Sequence, residues 1–181
     1  MRECGHCGKS IAGKRAGAKW CSKSCRNMAS RSRPRFPAEM TSVDRWVRYK
    51  LAPRKNGKLA KVPIQLDGRN ASSTDSATWT SFKEAQASSV GDGLGWVLGN
   101  GIGCIDLDNC FDDDGRLSDF ARSVTDEHRD RAVLIEQSLS GEGVHIFLPM
   151  ERGAGSRRTN IEVYPPDSGR FIAVTGDRIN L

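Results

Sequence analysis

Two sets of side chains in this 181-residue sequence could do chemistry. The first centres on Asp106 and Asp108 in Ile102-Gly103-Cys104-Ile105-Asp106-Leu107-Asp108. That run reads as a strand, and strand side chains alternate between faces. Ile105 and Leu107 then point one way, and Cys104, Asp106 and Asp108 the other. Neighbouring carboxylates repel, and each raises the other's pKa. A divalent cation between them removes the conflict. Mg²⁺ and Mn²⁺ favour carboxylate oxygens together with substrate phosphates. An Asp-x-Asp on a strand is also a common edge or turn feature, so the rest of the pattern matters. In Ile161-Glu162-Val163-Tyr164, alternation sets Glu162 and Tyr164 opposite the two core residues. In Val144-His145-Ile146-Phe147-Leu148 it sets His145 and Phe147 opposite three. Asp106, Asp108 and Glu162 together could hold two metal ions, the arrangement that supports in-line attack on a phosphate. The turn Ser138-Leu139-Ser140-Gly141-Glu142-Gly143 runs into His145. Ser138 and Ser140 offer hydroxyls, and Gly141 and Gly143 let backbone N–H groups approach phosphate oxygens.

The second set is Cys4, Cys7, Cys21 and Cys25, spaced C-x2-C-x13-C-x3-C. In a reducing compartment, paired knuckles of this kind suggest a tetrahedral Zn²⁺ site. Gly5 and Gly8 allow the first tight turn. A head this short cannot bury a core, so a structural metal would supply its folding energy. Two disulfides are the alternative in an oxidising setting. His6, inside the first knuckle, could replace a cysteine as ligand, with a bystander as the plainer reading. Cys104 and Cys110 are not counted as ligands; Cys104 suits a small buried filler.

The elements that must position these residues divide into three stretches. A zinc-binding module covers 1–28. A Ser/Arg/Pro-rich basic linker covers 29–40. An α+β catalytic domain with a mostly antiparallel sheet covers 41–181. Within it, Arg45 to Leu51 and Lys61 to Ile64 read as extended. The N-caps in Ser72-Ser73-Thr74-Asp75 open a helix that includes Trp79, Phe82 and Ala85. Gly95 to Gly99 is a strand, and Asn100-Gly101 is a hairpin signal leading into the aspartate strand. Leu117 to His128 has helical spacing. Val133 to Ser138 and Val144 to Leu148 form a second hairpin. Ile161 to Tyr164 and Phe171 to Val174 close the domain. The acid run Asp112-Asp113-Asp114-Gly115 reads as a solvated loop, since the remaining ligands of a calcium loop are missing.

Charge is unevenly placed. Residues 1–35 carry ten Lys/Arg and one acid, or +9, while the remainder carries 18 basic and 21 acidic residues, or −3. A basic head on a near-neutral body is the footprint of a nucleic-acid contact, with a solubilising tail as the plainer reading. Trp20 adjoins Cys21 in that head and either packs over the metal or stacks on a base. No apolar run is long enough to span a membrane, and the Arg/Lys-rich N-terminus has no apolar signal core. A cytoplasmic protein with no membrane partner is expected.

Ile105-Asp106-Leu107-Asp108-Asn109-Cys110, then Ser138-Leu139-Ser140-Gly141-Glu142-Gly143-Val144-His145-Ile146-Phe147, then Ile161-Glu162-Val163-Tyr164 with Gly169-Arg170-Phe171-Ile172-Ala173-Val174-Thr175-Gly176, occur in that order. The combination resembles the bifunctional primase-polymerase domain of phages and plasmids, within the archaeo-eukaryotic primase superfamily. The resemblance runs from about Arg45 to Gly176. It implies a primase-polymerase core: an RRM-like sheet with an N-terminal α/β unit, here preceded by the zinc module. Asp106 and Asp108 match the first motif's metal ligands, Ser140 and His145 the nucleotide-phosphate motif, and Glu162 the third motif's acid. By similarity, Arg170 and Lys61 hold nucleotide or template. The implied partners are a single-stranded DNA template, NTPs or dNTPs, and a replicative helicase in cis or in trans. A metal-dependent nuclease and a non-catalytic zinc-containing DNA-binding module are the alternatives.

Overall fold

The computed structural model describes residues 2–5, 7–15, 18–25, 35–54, 57, 59–112 and 114–179. His6, Asp113 and the first half of the stretch read as a linker (29–34) lie outside the described residues. The chain divides into two compact units, Met1–Arg35 and Phe36–Leu181.

In the second unit, Phe36 and Met40 are buried and join the core, so packing begins at Phe36 rather than at Thr41. Met40 lies on the short helix α1 (Ala38–Thr41). Strands β1 (Trp46–Pro53), β2 (Leu59–Ile64) and β3 (Gly93–Val97) follow, with helix α2 (Phe82–Ala87) between β2 and β3. Next come β4 (Ile102–Leu107), α3 (Asp119–His128), β5 (Leu134–Gln137), β6 (Val144–Pro149), β7 (Ser156–Arg158), β8 (Ile161–Tyr164) and β9 (Phe171–Val174). Every strand pair is antiparallel. The unit is therefore α+β with mostly antiparallel sheets, but it has two sheets rather than one: β2-β1-β3-β9 and β5-β6-β4-β8-β7.

The Asn100-Gly101 turn forms as its residue types require, with φ of 53° and 76°. It closes a single bridge, Gly99 with Ile102, and the strands on either side then enter different sheets. The expected helix after Asp75 is also interrupted. Asp75 caps a 3₁₀ turn at Ser76–Thr78, and Ser81 opens α2 with a capping box to Glu84. Between them Thr80 exchanges two backbone hydrogen bonds with Trp46, at 2.8 and 3.1 Å. Backbone committed to that pairing cannot continue a helix. Helix α3 begins at Asp119 because Ser118 is its N-cap, while Leu117 bridges Phe111 ahead of it.

β4 is the central strand of the five-stranded sheet, and both of its faces are covered. Ile105 and Leu107 pack with Val144, Ile146 and Ala121 of α3 in one core. Cys104 joins Phe147, Leu134, Trp46 and Trp96 in the other, which draws on both sheets. Asp106, His145 and Glu162 are two residues from Cys104, Phe147 and Tyr164 on their strands, so they share the face turned toward the first sheet.

Candidate active site and four-cysteine centre

Register places the charged residues in one line. Asp106 of β4 is directly opposite His145 of β6 on one side and Glu162 of β8 on the other. His145 is in turn opposite Glu136 of β5, and Glu162 opposite Arg157 of β7. Directly opposed residues share a face. The row Glu136, His145, Asp106, Glu162, Arg157 therefore crosses all five strands on one face.

The contacts along the row are specific. Glu136 has no exposed surface, and one of its oxygens lies 3.1 Å from His145 Nδ1. Its carboxylate also accepts the backbone N–H of Thr175 (3.2 Å) and of Gly176 (2.7 Å). With Nδ1 engaged by Glu136, the ring presents Nε2 toward Asp106 Oδ1, 3.7 Å away. Burial pushes the Asp106 carboxyl above its usual pKa, and the neighbouring Asp108 adds to the rise, while His145 and Lys61 oppose it. The Lys61 ammonium on β2 is therefore within electrostatic reach of Asp106. Asp108 is exposed just past the end of β4, where its N–H donates to Asn160 O. Glu162 is mostly buried; Arg157 Nε lies 2.5 Å from one of its oxygens, and Tyr164 Oη donates to the other.

The structure thus brings Asp106, His145 and Glu162 into register, with Asp108 beside them. It does not draw the three carboxylates to one point. Among the described residues, only Cys4, Cys7, Cys21 and Cys25 form a group of three or more with ligand atoms all within 4.8 Å. Both Glu162 oxygens are engaged by Arg157 and Tyr164. All-oxygen donors at Asp106 and Asp108 suit a hard cation such as Mg²⁺ or Mn²⁺.

The serine turn is built as a closed loop. The hydroxyls of Ser138 and Ser140 lie 3.1 Å apart. Ser138 Oγ accepts the N–H of Gly143 at 3.0 Å, and Gly141 has φ of 82°. Gly143 is pressed against β4, where a Cβ would stand 2.6 Å from Leu107 O. Arg170 lies over the Tyr164 ring and, with Arg157, Glu162 and Ser168, lines a pocket of about 260 Å³.

Two residues of this arrangement escaped the sequence reading. Glu136 carried a usable signal, because alternation sets it on the same strand face as the core residue Leu134. Arg157 had none, since nothing in its exposed, glycine-flanked segment marks one arginine over another.

In the first unit, the sulfurs of Cys7, Cys21 and Cys25 lie 3.4–3.6 Å apart, and Cys4 Sγ accepts the N–H of Cys21 at 3.3 Å. No disulfide joins the six cysteines, and the four of the head converge on one point rather than in two separate pairs. Zn–S bonds of about 2.3 Å require tetrahedral sulfur–sulfur edges of roughly 3.8 Å, close to the observed spacing. The four thiols therefore suit a structural Zn²⁺. Cys104 and Cys110 are buried in the second unit.

No family model matches the chain. A DNA primase-polymerase from Nitratiruptor phage NrS-1 is 33% identical to it over 137 residues. The chain is a homologue of the phage-type primase-polymerases. The match takes in 68% of this chain and 18% of that relative's length. Among the described residues, no helix is long and apolar enough to cross a membrane.

Proposed function

We propose that the unit from Phe36 onward is the catalytic core of a nucleotidyltransferase that makes and extends primers on single-stranded DNA from NTPs or dNTPs. The observation that carries this reading is the in-register row with Asp106 between His145 and Glu162, and with Asp108 beside it just past the end of β4. The phage relative's name, DNA primase-polymerase, supports the same reaction class. In this reading the five-stranded sheet is the RRM-like half of a primase-polymerase core, and the β1–β3 region with α2 is its N-terminal α/β unit.

Asp106 and Asp108 would hold Mg²⁺ or Mn²⁺, which when bound offsets phosphate charge and activates the attacking 3′ hydroxyl. Asp106 is partly buried, which disfavours its charged form, so a cation partner would stabilise it. Glu162 adds a third negative charge in register, held in place by Arg157 and Tyr164. His145, oriented by Glu136, offers Nε2 to a phosphate oxygen of the incoming nucleotide. The turn from Ser138 to Gly143 supplies hydroxyls and backbone N–H groups beside it. Lys61 and Arg170 contribute positive charge near the nucleotide or the template. A C-terminal helicase in cis, or one acting in trans, is the expected partner in phage or plasmid replication.

The test is primer synthesis on single-stranded DNA with Mg²⁺ or Mn²⁺. Asp106→Ala with Asp108→Ala should cut synthesis by roughly a thousandfold or more, the scale on which charge stabilisation at a reacting group acts. Undiminished synthesis by that double variant would sink the proposal. A nuclease can use the same acids, so DNA cleavage without nucleotide incorporation would assign the site to hydrolysis instead.

A further inference from the structure

The first unit contains a second possible binding site, which adjoins its metal cluster at Cys21. A cleft of about 650 Å³ is lined by Lys14, Arg15, Lys19 and Lys23 together with Trp20. That volume falls within the usual range of ligand clefts. Among the described residues, none of the four cations is ion-paired, and the head's one acid is Glu3.

The walls are held in shape. The Arg2 guanidinium donates to the carbonyls of Arg15 (2.8 Å), Lys14 (3.4 Å) and Ala18 (3.4 Å). The Gly5 N–H donates to Lys19 O at 3.0 Å, which ties the loop to the first knuckle. Trp20 rests one edge on Gly5, where a Cβ would stand 3.0 Å from its ring. The indole is nevertheless only half-buried, unlike Trp46 and Trp96, which have no exposed surface. The head thus anchors a flat aromatic surface without enclosing it, and surrounds it with four cations that have no ion pair among the described residues.

We propose that this cleft binds single-stranded nucleic acid, with Trp20 stacking on one base and Lys14, Arg15, Lys19 and Lys23 contacting the flanking phosphates. Stacking on an aromatic is available only to a base that is not already paired, and the cations complement a phosphodiester backbone. An anionic lipid surface would meet the cations equally well. It would also call for several inserting apolar side chains, and the cleft presents one aromatic. The proposal rests on the reading of the chain as an enzyme that works on a DNA template, and on Zn²⁺ holding the head together.

The experiment measures binding of a labelled short oligothymidylate to the full chain by fluorescence anisotropy, across a salt series. Trp20→Ala should weaken binding roughly 5- to 150-fold, the loss of one stacked base, while Trp20→Phe retains most of the affinity. Lys14→Gln with Lys19→Gln should lower the slope of log affinity against log salt by about 0.7 per lysine. Zinc content measured on each variant shows that the head has stayed folded. If Trp20→Ala loses zinc, the lysine pair decides the matter through its salt slope. Unchanged affinity together with an unchanged slope overturns the proposal. So does duplex bound as tightly as single strand, or equal binding to phosphatidylserine vesicles. Asp106→Asn with Asp108→Asn should bind the oligonucleotide normally while losing synthesis. Failure of the cleft and failure of the catalytic reading therefore give different results.

Discussion

A carboxylate with no exposed surface is costly to bury unless hydrogen bonds satisfy it. Glu136 meets that condition with His145 Nδ1 and the backbone N–H groups of Thr175 and Gly176. Its effect on His145 is positional, since it fixes which ring nitrogen faces Asp106. Glu136→Gln replaces one acceptor oxygen by an NH₂ group, which sets two donors against each other at Nδ1. Primer synthesis should fall about 10- to 100-fold, the usual loss when a histidine's orienting partner is removed. A shifted pH profile would mark this as loss of orientation, whereas a full-rate variant with an unaltered profile would remove Glu136 from the site. The two cysteines of the body allow a pH test. Burial pushes the Cys110 thiol up to about 12 and also raises Cys104 well above its usual value. Both folded values lie above the unfolded one, so both groups contribute stability in full below about pH 9. The Cys110 contribution is lost as pH rises from there toward about 12. Native protein at pH 8 should therefore alkylate at the head cysteines once metal is removed, and at Cys104 and Cys110 only after unfolding. Rapid native labelling of either would contradict their burial. At this scale the acids and His145 were legible because strand alternation alone sorts them onto one face. Arg157 becomes significant only through register, which no short window of sequence contains, and register is also what sets Glu136 opposite His145.

Strand alternation located β4, β6 and β8, and the residue types of each turn were read well. Which strands would pair was harder. Asn100-Gly101 adopts the expected left-handed conformations, yet β3 and β4 separate into two sheets after one bridge. Turn chemistry sets local φ and ψ; pairing further along depends on which strand surfaces bury each other. The same reason explains the divided helix at residues 76–87, where Thr80 pairs with Trp46 against the local helical signal. Close packing between a turn and a strand yields a prediction here. In Gly143→Ala the added Cβ would meet Leu107 O at 2.6 Å and Ser138 Oγ at 2.9 Å. The hydroxyl can turn away, but the β4 backbone cannot without disturbing Asp106. Overpacking of this kind costs about 1–3 kcal/mol. The melting temperature should drop by several degrees, and synthesis should fall further than stability alone explains, because His145 lies two residues on. A variant with wild-type melting and activity would show that β6 is not held against β4 through this contact.

At the scale of the whole molecule, the chain's two units depend on different sources of stability. The second has two hydrophobic clusters, one including Trp46, Trp96 and Phe147 and the other Leu107, Val144 and Ile146. The first has Cys4 and Ile11 as its buried apolar residues among those described. That is too little apolar surface to offset the entropy of ordering its backbone, so the four-thiol cluster must supply the difference. Structural zinc in comparable small modules contributes on the order of 10–16 kcal/mol of apparent binding energy. Freshly purified protein should carry about one zinc per chain. Stripping it with a strong chelator should abolish amide-exchange protection in residues 2–25 while leaving protection in residues 36–179 largely intact. The melting transition of the larger unit should likewise persist after chelation. Zinc near zero in unchelated protein would remove the metal from the argument. Loss of protection throughout both units would instead mean that the body depends on the head for its stability. The four-cysteine spacing made the site legible in advance, because two short knuckles and one ion define most of so small a fold. In the larger unit, many side chains share the task of building each core, and the pattern of any single segment is correspondingly less informative.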